Sequence, residues 1–316
     1  MTINVCICTR NRAARLRTAL ESLAGLGKSD TIRWDVLVVD NGSSDGTAAV
    51  AMAFSRDLSI RLVTEPEPGQ SRARNMALLQ SSGSHIIFLD DDVTVSSRWL
   101  AAYVSGFERY PHAAFFGGPI IAHVPNVSER QLAAVKEAIP GALTWLDPQL
   151  EEMILTQESK TLPWGANMAV RRSAMRGREF DVNLGRAPGR GVRSGEETAL
   201  FTSLLASGLT GVWLPDAKLD HHVSPERCSE EYLRDYCRGV GWYYGYVEAF
   251  QGTKDPKHVL RWLNKTLWKR RWRYASACLW SPLARRLSAF RDLESLRGFQ
   301  EGFAKTLEKT ARDPRR

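Results

Sequence analysis

Long apolar runs are missing from this chain. In its 316 residues no window approaches about 18 uninterrupted apolar positions, so no membrane-spanning helix is expected. Cysteine is scarce and odd in number: the five are Cys6, Cys8, Cys228, Cys237 and Cys278. The first two form Cys-x-Cys inside a β-prone run, which sends both side chains to one face. Neither a zinc spacing nor a disulfide framework results, and reduced thiols are expected. There is no GxGxxG after the first β-prone run and no GxxxxGK[ST] anywhere, which argues against a dinucleotide-binding Rossmann domain and a P-loop NTPase. Internal repeats and low-complexity tracts are absent. Met1 to Val5 enters a strand pattern at once, so no signal peptide is expected. Acid is in deficit: 35 Asp and Glu face 43 Lys and Arg, for a net charge of +8. An acidic partner is expected from that balance, whether nucleotide phosphate, anionic lipid head groups or nucleic acid.

What is present is globular in composition, with 43% hydrophobic and 25% charged residues. The N-terminal part alternates β-prone and helical patterns. Ile3 to Cys8 is a β-prone run, and Leu16, Ala19, Leu20 and Leu23 follow at helical spacing. Trp34 to Val39 is nearly continuous in apolar residues, as a strand covered on both faces should be. A helix over Ala48–Phe54, a strand at Ile60–Val63, a helix opened by Arg72-Ala73-Arg74-Asn75 and a strand at Ile86–Leu89 complete the series. Such alternation predicts right-handed crossovers and a mainly parallel sheet.

The last of these strands runs straight into Asp90-Asp91-Asp92. Three acids at the tip of a buried strand repel one another and lose hydration, so a positive partner is required. Mg²⁺ or Mn²⁺ with an anionic ligand suits that need. An Asp cluster after a strand can also be a solvated loop or a helix cap. The surroundings favour a site. Thr9, Asp40 and Asp90 all follow strand ends, where open α/β sheets bind ligands. Arg72 and Arg74 stand at a helix start that already attracts anions, although two such arginines alone would be an ordinary solvated face.

Four stretches occur in the order seen in family 2 glycosyltransferases: Cys8-Thr9-Arg10-Asn11-Arg12, Val39-Asp40-Asn41-Gly42-Ser43-Ser44-Asp45-Gly46-Thr47, Gly69-Gln70-Ser71-Arg72-Ala73-Arg74-Asn75 and Leu89-Asp90-Asp91-Asp92. Over roughly residues 3–225 the chain resembles that family, whose members are inverting enzymes of the GT-A fold. The resemblance implies an α/β fold with a Rossmann-like, mainly parallel central sheet flanked by helices, a nucleotide-binding half over 1–95 and an acceptor half over 96–225. It implies that Thr9 and Asp40 meet the base and ribose, and Arg74 the base and diphosphate. Asp90 would face the ribose, while Asp92 would hold Mn²⁺ or Mg²⁺ on the diphosphate. Arg10, Asn11, Arg12, Asn41, Ser43, Arg72, Asn75 and Asp91 belong to the same nucleotide-binding motifs. Trp164-Gly165-Ala166-Asn167-Met168 resembles the family's Gly-x-Asn-Met segment beneath the donor sugar, so Trp164, Gly165 and Asn167 are expected there. Trp164 could equally be core packing.

Gly195-Glu196-Glu197 enters a helix where family members often carry Glu-Asp, the second acid being the general base. Here that place is taken by Glu197, whose extra methylene moves the carboxylate by on the order of 1 Å. Glu196 stays an alternative. Asp220-His221-His222 offers a late histidine to the metal. Neighbours on an extended chain point opposite ways, and of the two His222 is expected to be the ligand, with His221 as the alternative. Phe115–Ile121 is expected as one strand and residues 126–161 as a variable insert or lid. Gly185–Gly195, with Arg186, Arg190 and Arg193, is expected to be mobile and cationic.

Residues 226–316 change character and are expected to form a separate helical region. Tyr232, Leu233, Tyr236, Val240, Tyr243, Tyr244 and Val247 form a helical stripe interrupted by Gly239, Gly241 and Gly245. Beyond them Lys254, Lys257, Arg261, Lys265, Lys269, Arg270, Arg271 and Arg273 interleave with Trp262, Trp268 and Trp272. That mixture suits an anionic membrane surface; nucleic acid, or a plain helical bundle, would share it. The resemblance as a whole implies a metal-dependent glycosyltransferase of bacterial surface-polysaccharide assembly. Its donor would be a nucleotide sugar, a UDP-sugar first, and its acceptor a glycan or lipid-linked glycan. It would be cytoplasmic, or peripheral on the inner membrane face. Two alternatives stand beside it: a sugar-phosphate nucleotidyltransferase, which lacks its glycine- and lysine-rich loop here, and a non-catalytic basic scaffold, which leaves the acids without a purpose.

Overall fold

The structure, a computed structural model, describes residues 1–26, 32–147, 149, 151–189, 191, 193–252 and 255–312. The chain divides into two compact units. Met1–His123, Thr144–Gly185 and Glu196–Val223 form the first; Val124–Leu143, Arg186–Gly195 and Ser224–Arg316 form the second.

The first unit opens with the expected alternation: β1 (Thr2–Thr9), α1 (Ala13–Ala24), β2 (Arg33–Asp40), α2 (Thr47–Ala53), β3 (Ile60–Thr64), α3 (Gln70–Gln80) and β4 (His85–Leu89). Each forms for a visible reason. The apolar run Val36–Val39 is buried throughout, because helices cover both faces of its sheet. Leu16, Ala19, Leu20 and Leu23 make the single buried stripe of α1. The unit continues through β5 (Val93–Val95), α4 (Trp99–Arg109), β6 (Phe115–Gly117) and β7 (Ile120–His123). After α5 (Glu129–Ala138), which belongs to the second unit, it resumes with β8 (Met153–Leu155), β9 (Asn167–Arg171), α6 (Glu196–Ala206), β10 (Gly211–Trp213) and β11 (Leu219–His222).

Eight strands form one sheet in the order β3-β2-β1-β4-β9-β6-β10-β8, and β5-β11-β7 form a second, smaller one. The pairs β3–β2, β2–β1, β1–β4 and β6–β10 are parallel, whereas β9 runs antiparallel to both β4 and β6. Thr9 pairs with Asp40, and Ile7 with Leu89. The C-terminal ends of β1, β2 and β4 therefore emerge at one edge, and the side chains considered below stand there.

One expectation fails locally. Phe115–Ile121 is not one strand: it leaves the large sheet after Gly117 and joins the small one at Ile120. A Cβ on Gly118 would sit 2.3 Å from the Ala217 carbonyl oxygen, and Pro119 has no N–H for a ladder, so the chain crosses between sheets there. Residues 126–161, expected as a variable insert or lid, carry regular structure. They supply α5, whose Ala134, Val135 and Ala138 are buried, a 3-10 turn at Pro140–Leu143, and β8.

The second unit is built on α5 together with α7 (Glu230–Gln251), α8 (Pro256–Trp280) and α9 (Leu283–Arg312). The glycines that interrupt the stripe of α7 have a packing role. A Cβ on Gly241 or Gly245 would lie 1.8 or 2.2 Å from the Ser295 or Phe299 carbonyl oxygen, and Gly298 and Gly302 of α9 are as tightly met by Arg238 and Trp242. Backbone thus packs on backbone. The Gly185–Gly195 stretch is tied down at two of its arginines. Arg186 donates to the Tyr232 hydroxyl at 2.9 Å, and the Arg193 guanidinium lies 4.0 Å from the centre of the Trp242 ring. Arg190 and Lys254 lie outside the described residues. Among the described residues no helix is long and apolar enough to cross a membrane.

Candidate active site

The acid triplet divides into two environments. Asp91 and Asp92 are buried, at 4% exposure each, while the Asp90 side chain is about a third exposed. Thr9, at the end of β1, donates its hydroxyl to Asp91 Oδ2 at 2.7 Å. Arg12 Nη1 reaches Asp91 Oδ1 at 2.8 Å and Asp92 Oδ2 at 3.1 Å, and Arg15 Nη1 reaches Asp92 Oδ2 at 2.9 Å. The positive partner demanded by buried carboxylates is therefore supplied in part by this chain's own guanidiniums. Burial pushes the Asp91 carboxyl up to about 6, against the pull of Arg12 and the Thr9 hydrogen bond. Burial works against the charge on Arg12, but Asp91 and Asp92 overcome it and hold the guanidinium protonated more firmly than usual. Sequence reasoning missed Arg15. The signal was its spacing: Arg12 caps α1 and Arg15 stands three residues on, so both share a helix face.

Of the two adjacent histidines, the structure brings His221 to the acids, not His222. His221 is fully buried, and its Nε2 lies 3.2 Å from Asp92 Oδ1. His222 points to the other face of β11, where it is exposed and its Nε2 lies 3.0 Å from Thr94 Oγ1. The expectation of opposite directions holds, but the histidine beside Asp92 is His221 and not the expected His222. The reason is register. β11 pairs antiparallel with β5, with His221 opposite Val93, and its inward face at that point is the face of His221.

Arg74 is the second centre. It is buried at 2% exposure, with Nη1 2.7 Å from Glu196 Oε1 and Nη2 3.7 Å from Asp90 Oδ1. Its guanidinium carbon lies 5.6 Å from the centre of the Phe180 ring. Gly165 closes on it from behind, since a Cβ there would stand 2.1 Å from Nη2. Asn75 holds Phe180 in place, donating to its carbonyl at 2.9 Å and accepting from its N–H at 2.8 Å. Glu196 and Glu197 begin α6, where the helix N-terminus favours acids. Glu196 is buried against Arg74; Glu197 is half-buried. Burial, reinforced by the negative charge of Glu196 and opposed by Arg74, pushes the Glu197 carboxyl up to about 8.

Several residues of the nucleotide motifs serve the loops themselves. Asn41 donates to the Glu65 and Glu67 carbonyls at 3.0 and 2.8 Å and accepts from the Gly69 N–H at 2.7 Å. Asp40 accepts from the Ser43 N–H at 2.9 Å. The Ser43 hydroxyl accepts from the Asn11 N–H at 2.9 Å, and Asn11 Oδ1 accepts from the Ser44 N–H at 2.7 Å, which joins the β1–α1 and β2–α2 loops. Arg72 turns to solvent and pairs with exposed Glu67 at 3.0 Å. Arg10 is different: its Nη1 is buried without a hydrogen-bond partner among the described residues, a donor suited to an anion.

Asn167 cannot line a sugar pocket. It is fully buried, accepts from Trp99 Nε1 and the Tyr103 hydroxyl at 3.0 Å each, and donates to the Pro119 and Ala217 carbonyls at 3.1 and 2.7 Å. All its hydrogen-bonding capacity fixes the crossing between the sheets. Trp164 packs partly buried against the core of the first unit.

The family model described as glycosyl transferase family 2 matches residues 4–178, over half of the chain, and the chain belongs to that family. It is thus a glycosyltransferase. It is 28% identical over 237 residues to the succinoglycan biosynthesis protein ExoM of Rhizobium meliloti (strain 1021), across 73% of this chain and 70% of that one. It is 39% identical over 83 residues to the UDP-Glc:alpha-D-GlcNAc-diphosphoundecaprenol beta-1,3-glucosyltransferase WfgD of Escherichia coli, across 26% of this chain and 32% of WfgD. The solved structure of the mannosyltransferase PcManGT from Pyrobaculum calidifontis, in complex with GDP-Man and Mn²⁺, is similar with a TM-score of 0.54. That match covers 98% of this chain and 75% of PcManGT at 19% identity, a likeness of fold, and the large sheet is accordingly of the GT-A type.

The neighbour's Mn²⁺ poses the question of fit. Among the described residues no group of three acid, His or Cys side chains could hold a metal. Asp92 and His221 nevertheless make a carboxylate–imidazole pair at 3.2 Å at the sheet edge, a donor set compatible with Mn²⁺ or Mg²⁺. Two protein ligands suffice where diphosphate oxygens and water complete the shell.

Proposed function

We infer that this chain transfers a sugar, with inversion, from a nucleotide-sugar donor to a hydroxyl of a glycan or lipid-linked glycan, in assembly of a bacterial surface polysaccharide. A UDP-sugar is the first donor to test, since WfgD is described as using UDP-Glc on a diphosphoundecaprenol-linked sugar. The observation that carries the reading is the buried Arg74–Glu196 ion pair, with Glu197 next along α6 and Arg74 also facing Asp90, at the sheet edge that holds Thr9, Asp40 and the acid triplet. A carboxylate with its proton affinity raised towards neutrality is what a general base needs.

Each residue then has a task. Asp40 and Asp90 contact the nucleoside, and Arg10 and Arg74 supply positive charge at the diphosphate. Asp92 and His221 would hold Mn²⁺ or Mg²⁺, which when bound would neutralise the charge that builds on the departing diphosphate. Arg12 and Arg15 balance Asp91 and Asp92 before the nucleotide arrives. Glu196 holds Arg74 and keeps the Glu197 carboxyl basic. Glu197 takes the acceptor hydroxyl proton as the oxygen attacks the anomeric carbon opposite the leaving group. The lipid-linked acceptor in WfgD's description favours work at a membrane surface, which we take to be the inner face of the cell membrane.

A panel of nucleotide sugars, each with Mn²⁺, Mg²⁺ or chelator, scored for nucleotide release, tests the reading. Release from a UDP-sugar that stops on chelation supports it. Pyrophosphate release from UTP and a sugar phosphate would replace it with a nucleotidyltransferase.

A further inference from the structure

We propose that the outer face of α8 is a docking surface for anionic phospholipid, and that it seats the second unit on a membrane without spanning it. The proposal does not rest on the catalytic reading, because vesicle binding is measured without donor or acceptor.

The helix has two unlike faces. Val259, Leu263, Leu267 and Ala277 are its buried residues. At 100° per residue, Trp268, Trp272 and Leu279 project from the opposite side. They are exposed by 64%, 63% and 74%, and Trp280 at the helix end by 86%. Large apolar side chains this open, repeated along one face of a 25-residue helix, are not ordinary surface. Trp268 and Trp272 touch edge to face, with ring centres 6.0 Å apart, so the two indoles form one continuous wedge.

The charge around that wedge identifies its partner. From Pro256 to Trp280 the helix has seven Lys and Arg and no Asp or Glu. Arg270 and Arg273 turn towards α9 and pair with Asp292 at 2.6 and 3.1 Å. Lys265, Lys269 and Arg271 lie beside the tryptophans, and Lys257 and Arg261 continue the basic band one to two turns earlier. Indole rings seat at the level of lipid head groups, and a surrounding cationic band draws them to anionic lipid. A second copy of the chain would bring two such bands into repulsion. Nucleic acid would meet the cations, but it offers nothing to Leu279, and the edge-to-face indoles of Trp268 and Trp272 do not present parallel faces for base stacking.

The test uses the full chain with three probes: vesicles of equimolar phosphatidylglycerol and phosphatidylcholine, vesicles of phosphatidylcholine alone, and a single-stranded oligonucleotide. Sedimented fraction and tryptophan emission are read. The protein is expected to partition onto the anionic vesicles with a blue shift, and far less onto the neutral ones. Trp268→Ser with Trp272→Ser should lower the partition coefficient at least about tenfold. Lys265→Gln, Lys269→Gln and Arg271→Gln together should lower it about a hundredfold. All these positions are surface residues, and an unchanged thermal midpoint confirms that the variants fold. Equal binding to both vesicle types, no binding to either, or retention by both variants overturns the proposal. So does salt-sensitive oligonucleotide binding without vesicle binding, which would assign the face to nucleic acid.

Discussion

Arg15 Nη1 lies 2.9 Å from Asp92 Oδ2, and both groups stand where the proposed cation must come. A guanidinium and a divalent ion compete for one carboxylate. Removing the guanidinium should therefore help the ion. Arg15→Gln is expected to tighten Mn²⁺ binding about tenfold, a figure set by a screened, half-exposed charge. Calorimetry with Mn²⁺ on the nucleotide-free protein reads this directly. Unchanged or weaker Mn²⁺ binding would detach Asp92 from the metal.

Asp92 and Glu197 separate binding from chemistry. Both Asp92→Ala and Glu197→Gln should abolish sugar transfer, the second by about 10²–10⁴ in kcat. Only Asp92→Ala should strongly weaken UDP binding in the presence of Mn²⁺. Equal loss of binding in the two variants rejects the assigned roles.

The raised proton affinity of Glu197 gives the pH dependence its sign. A base must be deprotonated, so kcat/KM should climb with pH and level off above about 8. Glu196→Gln removes a neighbouring negative charge and leaves Arg74 to act on Glu197, so the rising limb should move to lower pH. The linkage to folding runs the other way. The native state keeps a proton that the unfolded chain has already released, so stability falls as pH rises from the ordinary glutamate range to about 8. Glu197→Gln should remove that slope in denaturant titrations.

How far the sequence could be read depends on the range of the interactions. The alternation through Leu89 is legible because each element carries its own periodicity, and the GT-A sheet follows from it. The four motifs lead to the family for the same reason: each is local. The contacts that join distant segments are not local. Glu196 stands 122 residues from its partner Arg74, and nothing around Glu196 announces the pairing. The glycines of α7 lower helix propensity, and their use appears only when α9 is laid against them. Asn167 reads as a sugar-site residue because its motif is shared, yet here its four hydrogen bonds are all spent on the fold.

That last point can be tested apart from activity. Asn167→Leu removes four buried hydrogen bonds and takes from the Ala217 carbonyl, the Trp99 indole N–H and the Tyr103 hydroxyl the partner each has here, while the Pro119 carbonyl keeps the Leu219 N–H at 3.2 Å. An unsatisfied buried group costs about 1–3 kcal/mol, and partial relaxation will offset some of the sum, so a loss of roughly 3 kcal/mol or more is expected in urea unfolding. Donor KM in the fraction that folds should be unchanged, because Asn167 does not reach the cleft. A variant of normal stability with a raised donor KM would return Asn167 to the sugar site.

The buried ion pair offers the sharpest test of the site's architecture. Arg74 and Glu196 are 3% and 4% exposed at their side chains, so neither charge can turn to water when the other is removed. Arg74→Met or Glu196→Gln alone should each destabilise the protein by about 3–5 kcal/mol. Combined, they should cost clearly less than the sum, because the second change removes the charge that the first left stranded. Strict additivity in urea titrations would mean that the two groups do not share one energetic unit. The double variant should still be inactive: it regains a packed interior but loses the cation that faces Asp90 and the anion that keeps Glu197 basic.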